Sequence, residues 1–324
     1  GGSASGGKKD VITSEQYVVA EERPTTCPFC KQCEMKQSED VLDTWFSSAL
    51  WPFAGRSAAD LATYYPGNLV SNARDILNLW DARMIFSGLE FMGAAPFHDV
   101  LIHGTIQTKD GKRMSKSLGT GIDPLTYIEK FGADATRFAV LWQSSGQDIR
   151  WDESAAVAGR KFANKIWNAA RFVQGITNNG STSPSAVSSG PNGSPSLEPP
   201  RAESRDKQPT TNNTKPKTEA SIKILEALAQ AKASVARDLE QFEFSQALRT
   251  AYDFFWHEVC DTYIEVAKRE LMDPALAEQT SATLLHVLRG SLKLLHPFMP
   301  FVTEELWSAL PDYKPDHLLM VERW

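Results

Sequence analysis

The sequence predicts an α/β region followed by an all-α helical bundle. Three observations predict it. As far as about residue 151, short apolar runs alternate with amphipathic stretches, the pattern of parallel strands joined by crossover helices. From Asp152 onward nearly every segment keeps helical spacing, which suits a bundle. Between these helical segments, from about Thr177 to Ala220, lie seven of the chain's eighteen prolines and almost no large apolar residue. Such a stretch cannot bury enough surface to fold and is read as a disordered insertion.

Taken in order, "PGNLVSNARDILNLWDARMIFSGLEFMG" opens with a strand at Asn68 to Ser71. It continues as a helix whose apolar face holds Ile76, Leu79, Trp80, the stem of Arg83 and Met84, stopped by Gly93. "FHDVLIHGTI" reads as a buried-type strand. In "GIDPLTYIEKFGADATRFAVLW", Asp123 is the N-cap, Pro124 the first helical position and Gly132 the terminator, and a second helix starts from Asp134. "ESAAVAGRKFANKIWNAARFV" is one amphipathic helix, and three more helical stretches follow the insertion. In one of them Tyr252, Trp256, Val259, Cys260, Tyr263 and Ala267 share a face, which is read as bundle core.

Composition narrows the function. With 324 residues, 42% hydrophobic, the chain can form about two domains with proper cores. A formal charge of −6 supplies no global basic field, so any polyanion must be met by local patches. No run of eighteen apolar residues exists, which argues against a membrane-spanning helix. The start, "GGSASGGKKD", has no apolar stretch of the signal-peptide kind and reads as a flexible leader over residues 1–14. Four cysteines, three within seven residues, do not resemble a disulfide framework, and a reducing, cytoplasmic location is expected.

The densest local chemistry is "GKRMSKSLGT", residues 111–120. Lys112, Arg113 and Lys116 lie between Gly111 and Gly119, with Ser115 and Ser117 among them. Glycines admit close approach of backbone N–H groups to an anion, hydroxyls add donors, and lysine is a mobile point charge. A solvated basic turn and a phosphorylation site at Ser115 or Ser117 are the alternatives.

"RMSKS" (Arg113 to Ser117) resembles the KMSKS signature of class I aminoacyl-tRNA synthetases, with Arg in the first position. "DVLDTWFSSALWPF", "ARDILNLWDARMIFSGLEFMG", "DVLIHGTI" and "GADATRFAVLW" are similar to segments of the valyl branch, in the same order. "FFWHEVCDTYIEVAK" and "HPFMPFVTEELW" resemble its anticodon-binding bundle. The resemblance implies the second half of a Rossmann-like nucleotide-binding domain over 40–151 and a helical anticodon-binding domain over 152–324. It implies ATP with Mg2+, valine and tRNA(Val) as ligands, and activation of valine by in-line attack of its carboxylate on the α-phosphorus. Catalysis of that kind is mostly positioning and charge stabilisation.

On this resemblance Lys116 meets the developing charge, Ser115 and Ser117 bind phosphate or hold the loop, and Arg113 takes the first-lysine position. Met114 belongs to the same ATP-binding loop. His103 and Gly104 fall on the strand that lies against adenine, and Asp75 falls near the ribose and the amino acid. Trp45 and Trp80 match aromatics of the valine pocket. Read without the resemblance, the two tryptophans are core residues, His103 a structural histidine and Asp75 an N-cap.

"CPFCKQC" gives Cys27, Cys30 and Cys33. A C-x-x-C pair suits tetrahedral Zn2+, and residues 15–39 resemble the remnant of a zinc knuckle, but four ligands are needed and three cysteines are near. A redox C-x-x-C is the competing reading. The second class I signature, HIGH, does not occur in the 324 residues, so the expectation is an incomplete site. The chain is then a truncated piece, a gene fragment, or one chain of a split enzyme with an N-terminal HIGH-containing partner. A non-catalytic tRNA-binding module and an isoleucyl or leucyl specificity are the remaining alternatives.

Overall fold

The computed structural model describes residues 18–22, 24–25, 27, 31, 35–114, 119–144, 146–178, 218–311, 313–315 and 317–323. The expected leader, Cys30, Cys33, Ser115, Lys116, Ser117 and positions 179–217 of the expected insertion lie outside them. The flanking helices reach two residues into that expected insertion at each end, to Asn178 and from Glu219. The chain divides into two units, Gly1–Asn68 with Leu77–His98, and Leu69–Ile76 with Asp99–Trp324.

In the first unit, α1 (Thr44–Ala49), α2 (Trp51–Ala54) and α4 (Ala82–Met92) pack together, with α3 (Ala58–Tyr64) preceding Tyr65. Asp43 caps α1 by accepting from the Trp45 N–H, and Ser57 caps α3 through the Asp60 N–H. Gly88 of α4 is small because a Cβ there would stand 2.7 Å from the Tyr65 hydroxyl, which itself donates to the Ala94 carbonyl. Gly93 stops α4 in the left-handed region, φ 71°, as its position predicts.

The helix predicted from residue 76 is not one regular α-helix. A 3-10 turn (Arg74–Ile76) and a π-turn (Leu77–Asp81) precede α4. The wider i→i+5 turn rotates the residues that follow it. Met84 is consequently fully buried while Leu79, expected on the same face, is 40% exposed.

Strands β1 (Gly67–Ala73) and β2 (Phe97–His103) are neighbours, with Leu69–Ala73 and Asp99–His103 in the second unit, where β3 (Ile106–Gln107) pairs in parallel with β4 (Ile149–Arg150). The β3–β4 register sets Ile106 against Ile149 and Gln107 against Arg150. The buried character expected of "FHDVLIHGTI" is not found: β2 is half-buried or exposed throughout, Val100 among its exposed residues. A buried parallel strand needs cover on both faces and neighbours on both edges, and among the described residues the sheet of β2 holds only β1 besides itself.

Asp123 accepts from the Leu125 N–H and caps α5 (Pro124–Phe131), and Gly132, at φ 94°, separates α5 from α6 (Ala133–Gln143). Ala139, Trp151, Ala155 and Ala156 form a small core flanked by Ile106, Met114 and Tyr127.

The bundle comprises α7 (Ser154–Asn178), α8 (Glu219–Glu240), α9 (Phe244–Asp253), a ten-residue π-helical segment (Phe254–Tyr263), α10 (Ile264–Glu270), α11 (Ala277–Leu295) and α12 (Pro300–Ser308). Phe162, Ile166, Phe255, Leu292 and Leu295 are fully buried in one continuous core. On the predicted face, Val259, Tyr263 and Ala267 are buried and Tyr252, Trp256 and Cys260 pack half-buried against them. Burial pushes the Cys260 thiol up to about 12, which leaves it an unreactive packing group.

Helix α6 is fastened to this bundle at both ends. Asp134 accepts from the N–H groups of Phe301 and Val302 at 3.1 and 2.6 Å, capping α12 from another helix. Arg137 donates to the carbonyls of Pro297 and Phe298. At the far end the Trp142 carbonyl accepts from Arg249 at 2.8 Å and from Ser245 at 3.4 Å.

Candidate functional site

The residues of interest in the second unit converge through one carboxylate. The turn after β1 carries Arg74 and Asp75, and the parallel pairing of β3 with β4 brings Asp148, one residue before β4, beside Thr105. Asp148 Oδ1 accepts from the Thr105 N–H at 3.0 Å. Its Oδ2 accepts from the Arg74 guanidinium at 2.5 Å and from Gln107 Nε2 at 3.0 Å. The Thr105 N–H, followed by the Arg74 guanidinium, holds the Asp148 carboxyl below the usual carboxylate range. The next residue, Asp75, pairs with Arg113 at 2.5 Å. Arg113, Asp75 and the His103–Thr105 segment, far apart in sequence, are thus tied together by Thr105–Asp148–Arg74 and Asp75–Arg113.

Gly104 has a steric reason to be glycine. A Cβ built there would overlap the Gln147 carbonyl, so the loop before β4 packs directly on the Gly104 backbone. His103 is exposed, and its Nδ1–H donates to the Gly104 carbonyl at 2.9 Å.

The approach to the signature loop is a tight hairpin. Gly111, at φ 76°, donates its N–H to the Thr108 carbonyl, Lys112 N–H donates to Thr108 Oγ1, and Arg113 bridges back to Gln107. The Gly111 N–H therefore closes the turn. Lys112 is exposed, and Met114 is half-buried on the small core under α6. Ser115, Lys116 and Ser117 lie outside the described residues.

Trp45 and Trp80 belong to the first unit, on α1 and the π-turn, two elements that pack on each other, and each is half-buried. Cys27 is buried, and its carbonyl accepts from the Lys31 N–H at 3.0 Å. With Cys30 and Cys33 outside the described residues, no group of three or more metal-ligating side chains is found among the described residues, and the donor set does not establish a zinc site. Among the described residues no helix is long and apolar enough to cross a membrane.

Sequence reasoning overlooked Asp148, Arg74 and Gln107. The one available signal was "GQDIR" entering a strand, where Gly146 adopts φ 71°. Periodicity treats such a loop carboxylate as solvated, and only the β3–β4 pairing reveals its partners.

Comparison with known proteins assigns most of the chain to two families. Residues 8–152 match the family of tRNA synthetases class I (I, L, M and V), and residues 222–324 match the anticodon-binding domain of tRNA ligase. Among curated relatives, the valine–tRNA ligase of Petrotoga mobilis is 41% identical over 92% of this chain and 32% of its own length. That of Symbiobacterium thermophilum is 40% identical over 92% and 30%, and that of Bacillus cereus 43% over 85% and 29%. The chain therefore spans about a third of the length of these relatives. Among solved structures, a LeuRS of Agrobacterium radiobacter K84 in a ternary complex with tRNA and LeuAMS aligns with a TM-score of 0.64 at 19% identity, covering 89% of this chain and 33% of that one. Mycobacterium tuberculosis methionyl-tRNA synthetase with methionyl-adenylate aligns at 0.58 and 18% identity, covering 78% and 46%. These two support the fold alone. With residues 8–152 matched to the class I tRNA synthetases and residues 222–324 to the anticodon-binding domain of tRNA ligase, the chain belongs to the class I tRNA synthetases.

Proposed function

We propose that the chain is part of a valine–tRNA ligase, which joins valine to ATP with Mg2+ and transfers it to tRNA(Val) in the cytoplasm. The observation that carries the reading is the convergence of Arg113 from the signature loop with Asp75 at 2.5 Å, tied through Arg74 and Asp148 to the strand bearing His103 and Gly104. In this reading the His103–Gly104 strand faces adenine, and Asp75 accepts bonds from ribose hydroxyls or the ammonium of valine. Lys116 meets charge that builds on the phosphates, with Ser115 and Ser117 beside it. Met114 anchors the loop, and Trp45 with Trp80 line the valine pocket. Such a pocket cannot strongly reject an isostere that merely adds a hydroxyl, for which valyl enzymes facing threonine are the standard illustration.

The reading also requires a second wall to the phosphate site. Phe86 and Leu89 leave an exposed apolar face on α4, and a HIGH-containing N-terminal segment is the partner proposed to cover it. Valine-dependent exchange of pyrophosphate into ATP tests both points. The chain alone should be close to inactive. Adding the N-terminal portion of a related ligase should restore exchange, and Lys116→Ala should remove it. Robust exchange by this chain alone, lost in Lys116→Ala, would sink the incomplete-site reading.

A second reading, a tRNA-binding module without catalysis, is favoured by the match of residues 222–324 to the anticodon-binding domain of tRNA ligase. Salt-sensitive affinity for tRNA without any nucleotide response would support it.

A further inference from the structure

Asp148 accepts from three groups on two separate stretches of chain: Arg74 in the turn after β1, and Thr105 with Gln107 at β3. Two of its partners adjoin the candidate ligand-binding positions. The Thr105 N–H that it accepts follows directly on His103–Gly104, and the Arg74 that it pairs with directly precedes Asp75. Its geometry also depends on Gly104, since Gln147 packs on the Gly104 backbone and any Cβ there would push the 147–148 loop away.

The pairing has a further electrostatic consequence. Arg74 and Arg113 are both candidate partners for Asp75, one adjacent in sequence and the other from the signature loop. With Arg74 engaged by Asp148 at 2.5 Å, Asp75 pairs with Arg113 at 2.5 Å. Removing the Asp148 charge frees a guanidinium one residue from Asp75, where it competes with the loop arginine or with any cationic or hydroxyl-bearing ligand.

We propose that Asp148 is a positioning residue of the adenylate site, fixing the adenine-side strand through Thr105 and the ribose-side carboxylate through Arg74. The proposal rests on the nucleotide-site reading above. Asp148 itself touches no reacting atom; it acts through Thr105, Arg74 and Gln107.

The test uses the full chain and two variants, Asp148→Ala and Asp148→Asn, followed by residue-resolved amide exchange and by NMR titration with Mg·ATP. In Asp148→Ala the Thr105 amide should exchange at least about tenfold faster and the affinity for Mg·ATP should fall about tenfold, the scale of one lost charge-assisted contact. Asn keeps an acceptor for Thr105 but offers no charge to Arg74. Asp148→Asn should therefore retain Thr105 protection and show an intermediate loss of affinity. Phe255 and Leu292 amides in the bundle should be unchanged in both variants, which separates the effect from general unfolding.

Unaltered Mg·ATP affinity in Asp148→Ala overturns the positioning role and leaves the nucleotide site standing. Unchanged Thr105 exchange overturns it as well. No Mg·ATP response at residues 74–76 and 103–107 of the parent chain overturns the nucleotide-site reading and this proposal with it.

Discussion

In the bundle, Phe162 touches the rings of Phe138, Tyr252, Phe255 and Trp256 and is fully buried. In the first unit, Met84 is as deeply buried, yet on the same helix Phe86 is 71% and Leu89 54% exposed. Both regions are amphipathic and mostly helical. The difference lies in what the apolar stripe meets: bundle helices supply one another with complementary faces, whereas α4 has only one side covered among the described residues. Stability from burial scales with the area removed from water. The bundle can therefore stand on its own side chains, while the first unit has apolar surface still to cover.

The largest expected effect follows directly. Phe162→Ala should destabilise the bundle by about 3–5 kcal/mol, transfer term and cavity together, read from urea unfolding followed by far-UV circular dichroism. Phe86→Ala should change stability by only about 0.5 kcal/mol or less and reduce self-association in light scattering. Similar losses for the two would break the comparison.

An intermediate effect is expected where α6 meets α12. Asp134→Ala leaves the Phe301 and Val302 N–H groups without their acceptor in a partly buried place, a cost of about 1–3 kcal/mol. Thermal unfolding measures it. Asp134→Asn, which retains one acceptor oxygen, should recover part of the loss.

Acid should treat the site and the bundle in opposite ways. Burial, outweighing the Phe301 and Val302 N–H bonds, raises the Asp134 carboxyl above the ordinary 3.8. Its proton-linked contribution is therefore fully present below 3.8 and is lost as pH rises through the raised value. Asp148 is shifted the other way, chiefly by the Thr105 N–H. Its contribution is present above 3.8 and is lost as pH falls through the lowered value. On acidification the Thr105 amide should lose protection, after correction for intrinsic exchange, at a pH where Phe301 and Val302 remain protected. The reverse order would show that the two carboxylates are not the groups in control.

These contrasts also mark what could be read from sequence. Asp123 as a cap, Pro124 at the first turn and Gly93 and Gly132 as terminators were legible because each acts within a few residues. The bundle face from Tyr252 to Ala267 was legible in its apolar spacing, although its π-helical winding was not. Arg113 and Asp75 were both singled out, but their pairing depends on how residues 69–76 and 99–114 fold together, which no local pattern contains. Asp148 was missed, and Asp134 was read only as the start of a helix, for the same reason: each accepts from backbone N–H distant in sequence. The exposure of β2 was misread because an apolar run states what a strand could bury, not what is present to cover it.

The smallest expected effect on stability is at the contact that carries the functional reading. Arg113 and Asp75 are largely exposed, their side chains 72% and 38% accessible, and an ion pair of that kind contributes about 0–1 kcal/mol. Arg113→Ala should therefore leave thermal unfolding nearly unchanged. The same substitution removes a fixed cation from the candidate phosphate side of the site, so Mg·ATP binding should weaken and its salt dependence should diminish. Arg113→Lys preserves the charge but not the planar fork, and should recover part of the affinity. If Arg113→Ala lowers stability by several kcal/mol and leaves nucleotide binding intact, the pair is a structural clasp. The site would then be built around Asp148 without the loop arginine, and the division between a self-supporting bundle and a lightly tied site would have to be redrawn.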